Sequence, residues 1–255
     1  MMGCKGDVPE MKPFLAILLL GASMFAADTR KPVLVELFTS EGCSSCPSAD
    51  AFLSKLNDQQ PVAGVTVIAL EEHVDYWDRQ GWRDPFSSAD FTARQKQYAE
   101  QLHVDSPYTP QLVIDGSHEF VGSDSQQALK QLARASRDFK TPVRLSIREK
   151  SADHVTLAVQ VDATKSSGEV LLAVTESRLQ SDVVRGENAG RNLKHSAVVR
   201  KLIQIGTARK GEPFSTGAAV KLAREWKAEN LGVVVFVQEH ATGKVLGAGE
   251  MALWK

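Results

Sequence analysis

Apolar residues in the first half of the chain fall into short blocks whose spacing alternates between strand and helix. Val33-Leu34-Val35-Glu36-Leu37-Phe38-Thr39 is an apolar run of strand length. Behind it Ala49, Phe52, Leu53 and Leu56 recur at helical spacing. Val65-Thr66-Val67-Ile68-Ala69-Leu70 is rich in β-branched residues and predicts a buried strand, with a polar and aromatic loop over 71–78 after it. Phe91, Tyr98 and Leu102 supply one face of a helix from about Ser88 to Leu102, and Ser87 and Asp90 are spaced as a capping box. Leu112 to Gly116 reads as a strand and turn, with Glu119 to Gly122 as its hairpin partner. Ser123 and Gln126 open a last helix with Leu129, Leu132 and Ala133 on its buried face. Strands joined by helices call for parallel pairing, and the close later pair for an antiparallel hairpin.

The pattern changes near Thr141-Pro142. Period-two alternation runs through Val143 to Arg148 and His154 to Val161, then Glu169 to Thr175. Further strand patterns lie at Val198 to Ile205 and Leu231 to Gln238. Short strands between Gly, Ser and Asp turns suggest a β-sandwich. A long polar stretch covers 177–195, and Ala219 to Lys227 could form one or two helical turns.

The 255 residues carry a formal net charge of −1, with mixed signs along the chain. That balance gives no electrostatic footprint for nucleic acid. The N-terminus departs from the rest. Lys5 and Lys12 precede an apolar run from Phe14 to Ala27 that ends in small residues. The pattern reads as a signal peptide over 1–27, with a retained anchor helix as the alternative. Removal of that segment, which includes Cys4, leaves Cys43 and Cys46 as the remaining cysteines. Export to an oxidising compartment then presents one thiol pair without a competing partner.

Cys43-Ser44-Ser45-Cys46 follows the first strand and opens the first helix. A helix N-terminus favours a thiolate on the first cysteine. A thiol with pKa near 8.5 is only about 3% ionised at pH 7, whereas one near 6 is about 90% ionised. Cys43 would attack a client disulfide, and Cys46 would resolve the mixed disulfide. Thr109-Pro110 stands directly before the strand at 111–115. That placement resembles the thioredoxin fold, in which a cis-proline after a small or β-branched residue faces the cysteine pair. The expected fold class is an α/β thioredoxin-like N-terminal domain over 31–140, followed by an all-β sandwich-like C-terminal domain over 141–255.

Four stretches carry a finer likeness: Glu36 to Pro47, His73 to Asp78, Tyr108 to Gln111, and Gly186 to Arg191, the last leading into His195 to Arg200. On these the chain resembles an uncharacterised secreted bacterial thioredoxin-like family, domain of unknown function 1223. The resemblance implies the fold and a secreted or periplasmic location, and it brings no established reaction. Ser48 departs from the second proline expected after Pro47.

The expected activity is exported thiol–disulfide exchange by Cys43 and Cys46. Thr109 and Pro110 face the substrate, and His73, Asp75, Trp77 and His195 are auxiliary candidates. The redox-active Cys43–Cys46 disulfide needs no cofactor. Expected partners are a protein thiol/disulfide client and an electron-donor or acceptor protein. Nucleic acid is not among them, and membrane contact comes only through an uncleaved signal segment. Two alternatives stay open: a non-catalytic thioredoxin-like binding module with a structural disulfide, and a copper or zinc protein using Cys43, Cys46 and His73. Glu187, Asn188, Arg191 and His195 either shape the substrate cleft of the first domain or belong to an interface or a solvated loop.

Overall fold

The structure is a computed structural model and describes residues 1–3 and 30–254. From residue 4 onward the expected signal segment lies outside the described residues. Strand β1 (Lys31–Thr39) leads to helix α1 (Pro47–Gln59), strand β2 (Val65–His73) and helix α2 (Ala89–Leu102). Strands β3 (Gln111–Ile114) and β4 (His118–Val121) and helix α3 (Ser125–Ala135) follow. β1 and β2 pair in parallel, from Lys31 opposite Val65 to Thr39 opposite His73. β3 is antiparallel to both β1 and β4. The parallel opening and the later hairpin match the order of apolar blocks.

The second half continues with β5 (Val143–Lys150), β6 (His154–Val161), β7 (Gly168–Glu176), β8 (Leu179–Asp182) and β9 (Asn192–His195). β10 (Val198–Ala208), β11 (Phe214–Lys221), β12 (Leu231–Glu239) and β13 (Val245–Ala252) complete it. The expected fold class is overturned here. The chain is not a thioredoxin-like α/β domain followed by a separate β-sandwich. One mixed sheet of eight strands, in the order β13-β12-β7-β10-β2-β1-β3-β4, takes strands from both halves. The join is β10 beside β2, with Val198 opposite Glu71 and the Glu71 N–H donating to the Ala197 carbonyl at 2.9 Å. A separate three-stranded sheet, β11-β6-β5, covers one end of the large sheet.

The physical reason lies in β7 and β2. In β7, Val170, Leu172 and Val174 point to one face and pack with Val155, Leu157 and Val159 of β6. Leu171 and Ala173 point to the other face and pack with Leu34, Ile68, Leu70 and Phe91 from the first half. A strand buried on both faces needs cover on both, and part of that cover comes from across the change of pattern at Thr141. Each such buried Leu or Val contributes about 1.5–3 kcal/mol, so this shared core outweighs any gain from parting the halves. On the opposite face from α2, residues Ala49, Leu53 and Leu56 of α1 pack on Val33, Val35 and Leu37 of β1 and on Val65, Val67 and Ala69 of β2.

Local differences follow the same logic. β2 runs three residues past the apolar run, so Glu71, Glu72 and His73 are strand residues and fully buried. α2 is capped by Ser88 rather than Ser87, the Ser88 hydroxyl accepting from the Asp90 N–H. α3 is capped by Asp124, and its buried residues are Ala128, Leu132 and Ala135 rather than Leu129 and Ala133. The polar stretch 177–195 contains the β8–β9 hairpin. Residues 214–221 form β11, so the helical turns expected over 219–227 do not form, and a 3-10 turn follows at Ala228–Asn230. Among the described residues no helix is long and apolar enough to cross a membrane.

Candidate functional site

β1 carries the chain to Thr39, and a turn closed by the Cys43 N–H donating to the Ser40 carbonyl presents the cysteines. Cys46 caps α1, its carbonyl accepting from the N–H groups of Ala49 and Asp50, with Pro47 in the first helical turn. Cys43 and Cys46 are joined as a disulfide, with Cα atoms 5.4 Å apart. The cysteines are 1% and 0% exposed, while Ser44 and Ser45 between them face solvent. The sulfurs are therefore covered in this state, and a client needs a local opening to reach them.

Trp77 links this turn to the proline. A Cβ on Gly42 would sit 3.1 Å from the Trp77 Cβ, and the Trp77 indole N–H donates to Thr109 Oγ1 at 2.8 Å. The Thr109–Pro110 bond is cis. The Pro110 carbonyl accepts from the Gly122 N–H at 2.9 Å. A Cβ on Gly122 would lie 3.3 Å from the Pro110 Cβ and 3.1 Å from the Ala49 Cβ, so Pro110 approaches the first turn of α1. Thr109, Pro110 and Trp77 thus gather around the cysteine turn. Asp75 does not: its carboxylate accepts from Thr92 Oγ1 of α2 at 2.6 Å.

Beneath the turn lies a buried ionic cluster. His73 Nδ1 is 2.7 Å from Asp84 Oδ2, and His195 Nδ1 is 2.7 Å from Glu71 Oε1. His195 Nε2 is 3.1 Å from Glu41 Oε1, and Glu41 belongs to the cysteine turn itself. The indole N–H of Trp82 donates to the other Glu41 oxygen at 2.8 Å, and the Glu41 N–H donates to Asp84 at 2.8 Å. The two imidazoles are 4.8 Å apart between centroids. Burial alone would lower both histidines, but the facing carboxylates outweigh it. His73 is held well above its ordinary range by Asp84 and Glu71, and His195 is raised to about 10 by Glu71 and Glu41. Burial opposes ionisation of Glu71 as well, yet His195 and His73 pull it down to about 2.

Asp50, one helical turn beyond Cys46, is raised to about 7 by burial and by the Glu71 charge. Its Oδ1 accepts from Thr39 Oγ1 at 2.6 Å, and its Oδ2 is buried without a hydrogen-bond partner. The structure therefore unites two of the auxiliary candidates, His73 and His195, with acids that the sequence did not single out: Glu41, Glu71, Asp84 and Asp50. The available signal was Glu71-Glu72-His73 directly abutting a buried strand, at the sheet edge where ligand sites gather.

The 186–191 loop covers the turn. Asn188 is fully buried, and its amide donates to the carbonyls of Glu41 and Cys43 at 2.8 and 2.9 Å. The Arg191 guanidinium donates to the Asn188 side-chain Oδ1 at 3.0 Å, and Glu187 accepts from the Ser44 N–H at 3.1 Å. Asn188→Ala removes the amide donor from the Glu41 carbonyl and one of two donors from the Cys43 carbonyl, which keeps the Cys46 N–H, and should cost about 1–3 kcal/mol. Its disulfide should be reduced by dithiothreitol roughly fivefold faster or more, since cover is lost locally. Equal reduction rates in variant and wild type would remove the loop from this role.

A crystal structure of a protein from Agrobacterium tumefaciens is 28% identical to this chain, covering 87% of it and 94% of that protein, with a TM-score of 0.67. A domain of the outer membrane lipoprotein Omp28 from Porphyromonas gingivalis is 14% identical over 46% of this chain and 89% of that one, with a TM-score of 0.32. The sporulation control protein Spo0M from Bacillus subtilis is 11% identical over 46% and 49% of the two chains, at a TM-score of 0.33. The last two likenesses are too slight to argue from. None of the curated proteins matches the chain. The model of the DUF1223 family, described as proteins of unknown function, matches residues 34–238, and the chain belongs to that family.

Proposed function

We propose that the protein is an exported thiol–disulfide oxidoreductase working through Cys43 and Cys46. The observation that carries this reading is a Cys-Ser-Ser-Cys disulfide placed at the start of α1 with Pro110 close to the same helical turn. Cys46 caps α1 and Cys43 stands in the turn three residues before it, so the positive end of the helix supports thiolate character at this pair in the reduced state. That thiolate attacks one sulfur of a client disulfide, and the other client sulfur leaves as a thiolate. The Cys46 thiolate then attacks Cys43, reforming the Cys43–Cys46 disulfide and releasing the client as a dithiol. A partner dithiol reverses the two steps on the enzyme and resets it. Electrons travel in the cysteines, and a cofactor is not needed. The apolar segment before β1 supports export, and an oxidising compartment suits the chemistry.

Burial of both sulfurs favours a second reading, in which the disulfide only braces the turn. Trapping separates the two. Under the exchange reading, Cys46→Ser accumulates a mixed disulfide through Cys43 with a disulfide-bonded test protein such as insulin, and the wild type reduces that protein catalytically with dithiothreitol. A wild type without exchange activity, whose Cys43→Ser and Cys46→Ser variants merely melt lower, would sink it.

A further inference from the structure

We propose that Glu71, His73 and His195 form a site for one divalent transition-metal ion, best matched by zinc, beneath the cysteine turn. This does not rest on the redox reading. Glu71 Oε1 is the centre of the group, 2.7 Å from His195 Nδ1 and 3.4 Å from His73 Nε2. One donor atom from each of the three buried residues lies within 4.8 Å of the others.

The far side of every ligand is already held. His73 Nδ1 is bound to Asp84, His195 Nε2 to Glu41, and Glu71 Oε2 accepts from the Ser196 N–H at 2.9 Å. Two imidazoles each with one nitrogen on a carboxylate is the outer arrangement that metal-binding histidines use. It fixes the tautomer and aims the other lone pair inward. Asp84 is fixed in turn by the N–H groups of Glu41 and Phe86, and Glu41 by Trp82.

A separate observation points to a missing ligand. His73 Nε2 is buried, faces Glu71 and His195, and has no hydrogen-bond partner. A nitrogen left so is costly, and a metal ion would satisfy it. Bonds of about 2.1 Å in a tetrahedral site place donors roughly 3.4 Å apart. The Glu71–His73 separation already has that value, at 3.4 Å, and the Glu71–His195 pair at 2.7 Å would open by about 0.7 Å as the metal replaces the shared proton. Two nitrogens and one oxygen suit zinc better than calcium or magnesium, and three protein ligands leave a fourth position for water or a small anion. The carboxylates of Glu41, Glu71 and Asp84 balance a dication. Cys43 and Cys46, bonded to one another, take no part.

The test uses the wild-type protein with its disulfide intact, stripped by a chelator and then loaded with zinc or cobalt(II). The expected result is one equivalent of metal retained after desalting. Saturating zinc should raise Tm by about 5 °C or more. Cobalt should give d–d absorption of a nitrogen and oxygen donor set, without sulfur-to-cobalt charge transfer. His73→Gln and His195→Gln should each weaken binding at least about tenfold, while Asp75→Asn leaves it intact. Absence of retained metal and of any Tm shift in the wild type would overturn the proposal. So would a sulfur charge-transfer band, or full affinity in both histidine variants. The wild-type spectrum decides the matter even if those variants fail to fold.

Discussion

His195→Gln should lower the stability of the metal-free protein by about 3–5 kcal/mol at pH 7, the cost of leaving buried charge without its partner. His195 is 2% exposed and stands between Glu71 and Glu41, both fully buried. One glutamine amide can donate to one of these carboxylates but neutralises neither. The variant should also change the shape of the pH profile. In the wild type the His195 pKa is raised to about 10, so its contribution is complete below about pH 6.5 and is lost as pH climbs through 10. Glu71 is lowered to about 2, so its contribution is present above about pH 4.5 and is lost as pH falls through 2.

The neighbours bend the profile the same way. His73, raised, adds to the alkaline loss, and Asp84, lowered, adds to the acid loss. Asp50, raised to about 7, stabilises most below pH 3.8 and loses that contribution as pH rises through 7. The metal-free wild type should therefore be most stable near pH 4.5, decline gently as Asp50 loses its contribution up to pH 7, and decline further towards pH 10. Urea unfolding with chelator from pH 2 to 10 reads both effects. His195→Gln should lose part of the alkaline decline and shift the acid limb upward, because Glu71 loses its nearest cation. A variant with wild-type stability and an unchanged profile would show that the ion pairs contribute nothing.

Much of the local order was legible in the residues. The apolar runs at Val33 and Val65 became β1 and β2, and their parallel pairing followed from the intervening helix. The cysteine pair ahead of α1 was readable from nearby residues, whereas the cis bond at Thr109–Pro110 was expected only from the resemblance to the thioredoxin fold. Sheet partners were not readable. Val198 to Ile205 looks like any half-buried strand, and nothing in its period says that its neighbours are β7 on one side and β2 on the other. A change of period at Thr141 resembles a domain boundary when it is only the point where helical crossovers give way to hairpins. Register was equally hidden in α3, where Leu129 carries the stronger apolar signal yet is 39% exposed and Ala128 is buried.

The site was half legible for a related reason. Cysteine, proline and histidine announce themselves by chemistry, whereas a glutamate is an ordinary surface residue until its burial is known. Glu71 and Glu72 illustrate this: adjacent in sequence, they point to opposite faces of β2. Glu71 meets the histidines, and Glu72 meets Glu36 and Arg94. Each face of one strand thus carries its own buried ionic group.

The group on the far face yields the second large effect. Arg94→Met should cost about 3–5 kcal/mol and should shift the unfolding of the whole chain together. Arg94 of α2 lies 2.6 Å from Glu36 of β1 and donates to Gln238 of β12 at 3.0 Å. Its guanidinium also bonds Tyr98 Oη at 3.0 Å and stacks 5.4 Å from the Phe236 ring centre. Gln238 in turn donates to Tyr98 Oη at 2.8 Å. Burial pushes the Glu72 carboxyl well above its usual range, and Glu36, at 2.6 Å against 3.5 Å for Glu72, is the nearer carboxylate to Arg94. Methionine fills much of the volume and strands that charge. Adding Glu36→Gln to Arg94→Met should then restore at least about 1 kcal/mol, a coupling expected of groups in one network. Because the network spans β1, α2 and β12, and the core beneath α2 spans both halves, denaturant unfolding should be one transition that moves as a unit. Two independent domains would give two transitions, with only the earlier residues responding to Arg94→Met. That outcome would contradict the continuous sheet on which the site is built.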